Sequence, residues 1–82
     1  VTLVTGGCGL IGEAFVEALA DRGDHVIALD VDDDTGNRLA TQHCQVEYRH
    51  CDVTDAKAFD HVLKTARERH QRVDAVVHSA YP

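Results

Sequence analysis

The sequence predicts an α/β fold in which helices cover both faces of a parallel β-sheet. Four short apolar runs alternate with three stretches of helical periodicity, a glycine-rich turn joins the first run to the first helix, and an aspartate ends the second run. Strands that alternate with helices form parallel βαβ units with right-handed crossovers. We therefore expect a doubly wound sheet with the strand order 3-2-1-4.

The first predicted unit is a strand at residues 1–5 followed by a helix at residues 10–22. The strand segment consists only of β-branched residues and leucine, as expected for a strand that is buried on both faces. In the helix segment, apolar residues recur every three or four positions, which predicts one buried stripe, and Gly23 ends the helix. The predicted stripe consists of Leu10, Ile11, Ala14, Phe15, Ala18 and Leu19.

The rest of the chain continues the alternation of strands and helices. Asp32, Asp33, Asp34 and Thr35 have the side chains that cap helix N-termini, so we expect a short helix at this point. The further predicted elements are a strand at 25–30, this helix near 35–42, a strand at 46–50, a turn at 52–55, a helix that follows the turn, and a strand at 72–78.

Composition and charge argue against several partners. The net charge is −6 and the eight basic residues are scattered, whereas a nucleic-acid partner requires clustered lysine and arginine. No apolar run approaches the roughly 20 residues of a membrane span. The three cysteines have no C-x-x-C spacing, so we expect them to be reduced thiols in a cytoplasmic protein. From the charge and the short apolar runs, we expect a protein that binds neither nucleic acid nor membranes.

The glycine-rich turn has the chemistry of a phosphate-binding loop. Its glycines fit two registers, one with Gly7, Gly9 and Gly12 and one with Gly6, Gly9 and Gly12 behind Thr5. In either register, glycines let the backbone approach a pyrophosphate, and the following helix offers unpaired N–H groups and a positive dipole end. The turn, in its position between a strand and a helix, predicts a dinucleotide site.

Asp30 is placed to distinguish between the two nicotinamide dinucleotides. It ends the second strand 18 residues after Gly12, close to the spacing of about 20 for a carboxylate that binds the adenosine ribose. Its charge would repel a 2′-phosphate, and neither Val31 nor Asp32 offsets that charge, so we predict NAD rather than NADP. The alternative is that Asp30 only forms a turn at the end of the strand.

Four segments together resemble the short-chain dehydrogenase/reductase superfamily. They are VTGGCGLIG, the strand that ends at Asp30, CDVTD at 51–55 and VDAVVHSAYP at 73–82, and the resemblance covers essentially the whole chain. It implies a Rossmann-type fold. Residues 1–82 would be the N-terminal βαβαβαβ portion of that fold, a partial NAD(P)-binding domain from a longer chain.

The resemblance implies a set of cofactor-binding residues. The functional glycines would be those of the register behind Thr5, with Gly7 only a permissive neighbour. Asp52 would receive the adenine amino group, although it also has the chemistry of a helix cap. The implied set consists of Thr5, Gly6, Gly9, Leu10, Ile11 and Gly12 at the pyrophosphate, Asp30 and Val31 at the adenine ribose, Asp52 and Val53 at the adenine, and His78, Ser79 and Ala80 near the riboses.

The segment after the fourth strand departs from classical members of the superfamily. Those members carry Asn-Asn-Ala-Gly, whereas this chain has HSAY at 78–81. His78 and the glycine spacing are similar to extended members such as sugar-nucleotide epimerases and dehydratases, but the long third helix is similar to the classical branch, which we favour. The SAYP segment resembles a classical subgroup of bacterial surface-sugar and flagellin-glycan pathways, which makes a sugar or sugar-derived substrate a candidate.

The implied activity is hydride transfer between a nicotinamide cofactor and a carbonyl or alcohol of a small-molecule substrate, in a homo-oligomeric parent protein. The family's catalytic serine and Tyr-x-x-x-Lys would lie beyond residue 82, and neither Ser79 nor Tyr81 matches them. We therefore expect no catalytic residue in this chain and no turnover by it alone. Alternatives are an extended epimerase or dehydratase, a non-catalytic NAD-sensing protein, and a methyltransferase with a similar glycine turn and ribose-binding acid.

Two clusters have residue types that bind metals, but we expect no metal at either. His43 and Cys44 are followed at a short distance by His50 and Cys51. Neighbouring residues on a strand point to opposite faces, so these four side chains would not converge on one tetrahedral ion. The acidic run at 32–34 lacks the alternating oxygen ligands and the terminal glutamate of a calcium loop.

Overall fold

The computed structural model describes residues 1–6 and 9–78, and these residues alternate between strand and helix as the sequence predicts. The elements are β1 (Thr2–Thr5), α1 (Leu10–Asp21), β2 (Val26–Asp30), α2 (Asp33–Gln42), β3 (Val46–His50), α3 (Ala56–His70) and β4 (Ala75–His78). The four strands are parallel and form one sheet in the order β3-β2-β1-β4. The predicted α/β class and strand order are confirmed.

The two central strands, β1 and β2, form the core of the sheet. Leu3 pairs with Ile27 and Val4 pairs with Ala28, and each of these side chains is at most 1% exposed. Because successive side chains on a strand point to opposite faces, the first pair faces one side of the sheet and the second pair faces the other. Both faces therefore need a covering layer.

The helices provide these two layers. One apolar cluster joins Val16 of α1 and Leu39 of α2 to one face of the central strands. The other joins Ala66 of α3, with half-buried apolar residues of the same helix, to the opposite face. The chain moves toward one edge of the sheet from β1 to β3 and back in the opposite direction from β3 to β4. Because each crossover is right-handed, this reversal places α3 on the opposite face from α1 and α2.

Two elements begin two or more residues away from their predicted starts, and the other differences are of one residue. Helix α2 begins at Asp33, two residues before the predicted start, because the carboxylate of Asp32 caps it and accepts a 3.2 Å hydrogen bond from the Thr35 amide. Strand β4 begins only at Ala75, three residues after its predicted start. The residues before it use their side chains locally, since Arg72 Nε donates to Asp74 Oδ1 at 2.7 Å.

The predicted buried stripe of α1 is wrong over most of its length. Val16 is fully buried and Ala20 is 4% exposed, whereas Ile11 and Phe15 are 57% and 45% exposed. Of the predicted stripe, Leu19 packs against the core, Ala14 and Ala18 are exposed, and the side chain of Leu10 lies outside the described residues. Helix α1 is apolar on two faces, so its period does not identify the face that meets the sheet.

Across the described part of the chain, no helix is both long and apolar enough to cross a membrane.

Candidate cofactor-binding site

The strands all end on the same side of the molecule, which we call the carboxyl end of the sheet. Here a hollow of about 220 Å³ is lined by residues at the end of β2 and by residues that follow β1, β2 and β3. In open α/β sheets, ligands bind outside the carboxyl ends of the strands. The hollow is smaller than the roughly 300 Å³ or more of a complete ligand pocket, so it suits one part of a dinucleotide. Its lining residues are Gly6, Leu29, Asp30, Val31, Cys51, Asp52 and Val53.

The glycine turn begins at Gly6, directly after β1. Its φ angle is 65°, in the left-handed region that glycine adopts without steric strain. The Gly9 amide donates a 3.0 Å hydrogen bond back to the Gly6 carbonyl, which folds the turn onto itself. Gly12 is buried in the first turns of α1. Gly7 lies outside the described residues, and the left-handed φ is at the first glycine of the predicted functional register.

Helix α1 begins without a side-chain cap, unlike the two other helices. Gly9 occupies its N-cap position, and the first helical hydrogen bond runs from the Glu13 amide to the Gly9 carbonyl at 2.8 Å. The amides of Leu10, Ile11 and Gly12 therefore have no partner within the helix. Amides in this position, at the positive end of the helix dipole, are suited to binding phosphate.

Asp30 is anchored from both sides at the end of β2. Its Oδ1 accepts hydrogen bonds from the amides of Val31 at 2.6 Å and Asp32 at 3.4 Å. Its backbone carbonyl accepts from the Cys51 amide at 2.9 Å and from the Tyr48 hydroxyl at 3.0 Å. The carboxylate is thus held by backbone donors beside the hollow, where it can accept hydrogen bonds from ligand hydroxyl groups.

Asp52 follows β3 and lines the same hollow, but it does not cap α3. Its side chain accepts hydrogen bonds at Oδ1 from the hydroxyl and the amide of Thr54 at 2.6 and 3.0 Å, and they hold the pKa of Asp52 below its ordinary value. The cap is Asp55, which accepts from the amides of Lys57 and Ala58. The alternative interpretation of Asp52 as the helix cap is therefore wrong. Val53, beside it, is half-buried and lines the hollow as well.

Thr5 and His78 meet where β1 and β4 end. Thr5 is fully buried, and its hydroxyl donates to the Val77 carbonyl at 3.4 Å and lies 3.2 Å from Nδ1 of His78. The His78 ring packs edge-on against Phe59, with ring centres 5.9 Å apart. The Thr5 side chain therefore links the two strands. Ser79 and Ala80, the other predicted residues of this segment, lie outside the described residues.

The sequence did not identify Tyr48, whose hydroxyl contacts the Asp30 carbonyl and so helps to hold Asp30 in place. Besides its contact with the Asp30 carbonyl, its hydroxyl donates to the carboxylate of Asp33, which His50 also contacts at 2.8 Å; these two hydrogen bonds lower the pKa of Asp33. The Tyr48 ring lies so close to Gly36 that a Cβ there would come within 2.2 Å of it. An isolated glycine inside a helical segment was the signal for this close approach.

Cys51 is the one thiol on the described wall of the hollow, and its surroundings keep it protonated. Burial raises its pKa, and the negative charges of Asp52 and Asp55 raise it further. A thiol with a raised pKa is a poor nucleophile. Cys51 therefore contributes packing to the site rather than covalent chemistry.

Comparison with known proteins identifies the family. A family model described as short chain dehydrogenase matches residues 1–80. The chain is 37% identical over 81 residues to 3-hydroxyacyl-CoA dehydrogenase type-2 of Drosophila melanogaster, and 28% identical over 82 residues to Short-chain dehydrogenase reductase 3b of Arabidopsis thaliana. Each match covers 98% of this chain and 32% of the relative, so the chain spans about a third of the length of these relatives.

Solved structures agree with the sequence relatives. A short-chain dehydrogenase from Streptomyces avermitilis matches with a TM-score of 0.90 at 32% identity, over 96% of this chain and 30% of that one. An apo SCOR enzyme from Clostridium thermocellum matches with a TM-score of 0.88 at 30% identity, over 99% of this chain and 33% of that one. These matches confirm the Rossmann-type fold and favour the classical-like branch over the extended one. The chain belongs to the short-chain dehydrogenase family.

Proposed function

We propose that this chain is the NAD-binding part of an oxidoreductase that transfers a hydride between a nicotinamide cofactor and a carbonyl or alcohol of a small-molecule substrate. The observation that carries the proposal is the placement of Asp30 beside the glycine turn and in the wall of the hollow. When bound, the cofactor supplies the hydride, and the protein supplies binding and orientation.

The pyrophosphate would lie at the glycine turn. Gly6 brings the backbone close to the ligand, and the uncapped amides of Leu10, Ile11 and Gly12 donate hydrogen bonds to the phosphate oxygens. Gly9 adds no side chain between the phosphates and the helix. The other two helices begin with the carboxylates of Asp32 and Asp55, which would repel a phosphate at the same position.

The adenosine would occupy the hollow, and the negative charge of the hollow favours NAD over NADP. Asp30 accepts hydrogen bonds from the ribose hydroxyls, and Asp52 and Val53 face the adenine. Of the described residues that line the hollow, two carry carboxylates and none carries a basic side chain. A 2′-phosphate would meet negative charge without a compensating arginine, which is the usual partner for that group.

The complete reaction needs residues that this chain does not contain. Its 82 residues include no Tyr-x-x-x-Lys sequence, and the chain spans about a third of its relatives. We expect a homo-oligomeric, cytoplasmic parent enzyme with a carbonyl or alcohol substrate, sugar-derived substrates among the candidates, and no turnover by residues 1–82 alone. Their own task would be to bind and orient NAD.

The test is a titration of the chain with NAD, NADP and S-adenosylmethionine. Binding is detected by NMR, because the chain holds only part of the site and its affinity should be weak. We expect weak NAD binding that Asp30→Ala reduces at least about tenfold, since the loss of charge-assisted hydrogen bonds removes about 1.5 kcal/mol or more. The matched control is Asp34→Ala, which removes the same charge from an exposed position in the first turn of α2.

The control separates a specific contact from a general change in charge. Equal effects of the two substitutions, or unchanged NAD affinity in Asp30→Ala, would contradict the proposal. Preferential binding of S-adenosylmethionine would support the methyltransferase alternative instead. In Asp30→Ala, the preference for NAD over NADP should also narrow.

A further inference from the structure

The amino end of the sheet, where the strands begin, carries a second cluster of polar side chains. His25 directly precedes β2, Glu47 lies in β3, and His70 is the last residue of α3. Their potential ligand atoms all lie within 4.8 Å of one another. Both imidazole Nε2 atoms approach the same Glu47 oxygen, Oε1, at 4.0 Å for His25 and 3.9 Å for His70.

The two imidazoles bring buried polar atoms that the protein does not satisfy. Nε2 of His25 and Nε2 of His70 are both buried, and neither has a hydrogen-bond partner among the described residues. The two rings are close neighbours, with centres 4.5 Å apart. A buried nitrogen without a partner is unfavourable, so a group that bonds to both nitrogens at once would relieve two unfavourable contacts.

Glu47 is oriented so that one of its carboxylate oxygens faces the two imidazoles. Its Oε2 accepts hydrogen bonds from Arg49 Nε at 3.1 Å and from Arg69 Nη1 at 2.9 Å. Oε1 is the oxygen that faces the imidazoles. Carboxylates that bind metal ions are commonly oriented by outer hydrogen bonds of this kind. The two guanidinium groups also balance the carboxylate charge, so the cluster attracts a cation through its ligand atoms more than through net charge.

We propose that His25, Glu47 and His70 bind one divalent transition-metal ion, such as Zn²⁺, through the two Nε2 atoms and Oε1. Two imidazoles and a carboxylate are a known zinc ligand set, which leaves a fourth position for water. At metal–ligand distances of about 2.0–2.1 Å, tetrahedral ligands lie about 3.3 Å apart. Each Nε2 atom therefore needs to move closer to Oε1 by about 0.6–0.7 Å, and the two Nε2 atoms need to approach each other by at most about 1.5 Å. Imidazole ligands favour such an ion over magnesium or calcium, which prefer oxygen.

The surroundings of His25 agree with this ligand set. Burial lowers the pKa of His25, and the neighbouring His70 lowers it further. A neutral imidazole is the form that binds metal ions.

The position of the cluster indicates a structural role. It joins the beginning of β2, the beginning of β3 and the C-terminal end of α3, at the opposite end of the sheet from the hollow beside Asp30. A bound ion would fasten α3 to the sheet, and it would be too far from the hollow to take part in hydride transfer. We expect the ion to stabilise the fold without changing the affinity for NAD.

The test uses Co²⁺ as a spectroscopic probe and Zn²⁺ as its competitor, on the metal-free chain. We expect one equivalent of Co²⁺ to give the visible absorption bands of a tetrahedral site, and Zn²⁺ to displace it and raise the melting temperature. His70→Gln should weaken binding at least about tenfold, by analogy with the loss seen when metal sites lose supporting residues. His61→Gln, at an exposed position of the same helix, and His43→Gln, whose Nε2 lies 4.0 Å from Glu17 of α1, should bind as the unaltered chain does.

Two further measurements keep the result decisive. If His70→Gln does not fold, as judged by circular dichroism, His25→Gln replaces it. In the unaltered chain, Zn²⁺ should shift the ring NMR signals of His25 and His70 and leave that of His61 unchanged. Absence of a tetrahedral Co²⁺ spectrum, equal loss of binding in the control variants, or shifts spread over all histidines would overturn the proposal.

Discussion

The two ends of the sheet use carboxylates in opposite ways. At the carboxyl end, Asp30 and Asp52 are held by backbone amides and a hydroxyl, and the described residues that line the hollow include no basic side chain. At the amino end, Glu47 is paired with Arg49 and Arg69 and faces two imidazoles. The first arrangement can accept hydrogen bonds from a ligand that donates them. The second faces two imidazoles, each of which has one donor and one acceptor nitrogen when neutral, so a metal ion can bind between them and the carboxylate where Nε2 carries no proton.

This difference teaches that the partner, rather than the carboxylate, determines what an acidic residue can bind. Backbone donors keep an aspartate ionised without neutralising the surface around it, which suits a hydroxyl group and repels a phosphate. Guanidinium groups neutralise a glutamate and orient it. Substitutions at one end at a time test this difference, and the largest effect is expected at the carboxyl end.

Gly36→Ala, near the carboxyl end of the sheet, should cause the largest loss of stability. The new Cβ would come within 2.2 Å of the Tyr48 ring, so the ring must move and lose its contacts with Asp30 and Asp33. Overpacking of this kind lowers the free energy of unfolding by about 1–3 kcal/mol, which outweighs the helix propensity gained with alanine. Urea denaturation measures the change. Asn37→Ala, at the next and exposed position of α2, is the control and should be neutral or slightly stabilising.

Asp55→Ala should lower stability while leaving the cofactor site intact. The Asp55 carboxylate caps α3 by accepting hydrogen bonds from the amides of Lys57 and Ala58, and loss of such a cap costs about 1 kcal/mol. Asp52→Ala is its counterpart in the same short segment, and it should weaken NAD binding with a smaller change in the urea midpoint. The distinction between cap and ligand would be wrong if the two substitutions had the same pair of effects.

Tyr48→Phe should lower the free energy of unfolding by no more than about 1 kcal/mol, which is no larger than the effect of Asp55→Ala. The substitution keeps the ring against Gly36 and removes only the hydroxyl, so the Asp30 carbonyl keeps its bond from Cys51 and Asp33 keeps its contact with His50. We expect NAD affinity to fall by a few fold because Asp30 is less firmly placed. A loss of affinity as large as that of Asp30→Ala would instead indicate a direct contact between Tyr48 and the ligand.

The pH dependence of stability should distinguish the two ends of the sheet, and it is the smallest of the expected effects. The folded-state pKa of His25, which is faced by His70, Glu47 and Arg69, lies below its unfolded value of about 6.5. The stability it contributes is therefore present above that pH and lost as the pH falls through the folded pKa. Asp33 and Asp52 also have lowered pKa values, but their contribution is lost only below about 3.9.

Urea midpoints measured against pH in the presence of a chelator would check this order. The unaltered chain should lose more stability than His25→Gln as the pH falls below about 6.5, and both should then lose stability together in the range of the aspartates. Identical pH profiles for the two proteins would contradict the assignment of the first window to the amino end.

Local patterns were enough to predict most of the fold, but not the orientation of α1. The order of strands and helices follows from periods of two and about 3.6 residues, which are properties of the chain itself. Helix α1 has apolar residues both at Ile11 and Phe15 and at Val16 and Ala20, so its own pattern is compatible with burial of either face. The sheet buries the second of these faces, and that choice depends on packing.

The candidate site was predictable to a similar extent. The glycine turn, Asp30 and Asp52 are separated by conventional spacings, and the structure brings them to one end of the sheet. Tyr48 was not identified because its importance depends on contact with Gly36 and Asp30 across two elements. The capping role fell to Asp55 rather than Asp52 because the helix begins one turn later than that aspartate.

By itself, the sequence determined the alternation of elements, the strand order expected from it, and the chemistry of the glycine turn, since all of these depend on neighbouring residues. The tertiary structure decided which face of α1 is buried and which side chains meet across elements. His25, Glu47 and His70 are separated by more than twenty residues at each step. Only the parallel pairing of β2 with β3, and the return of α3 to the amino end, places their ligand atoms within 4.8 Å of one another.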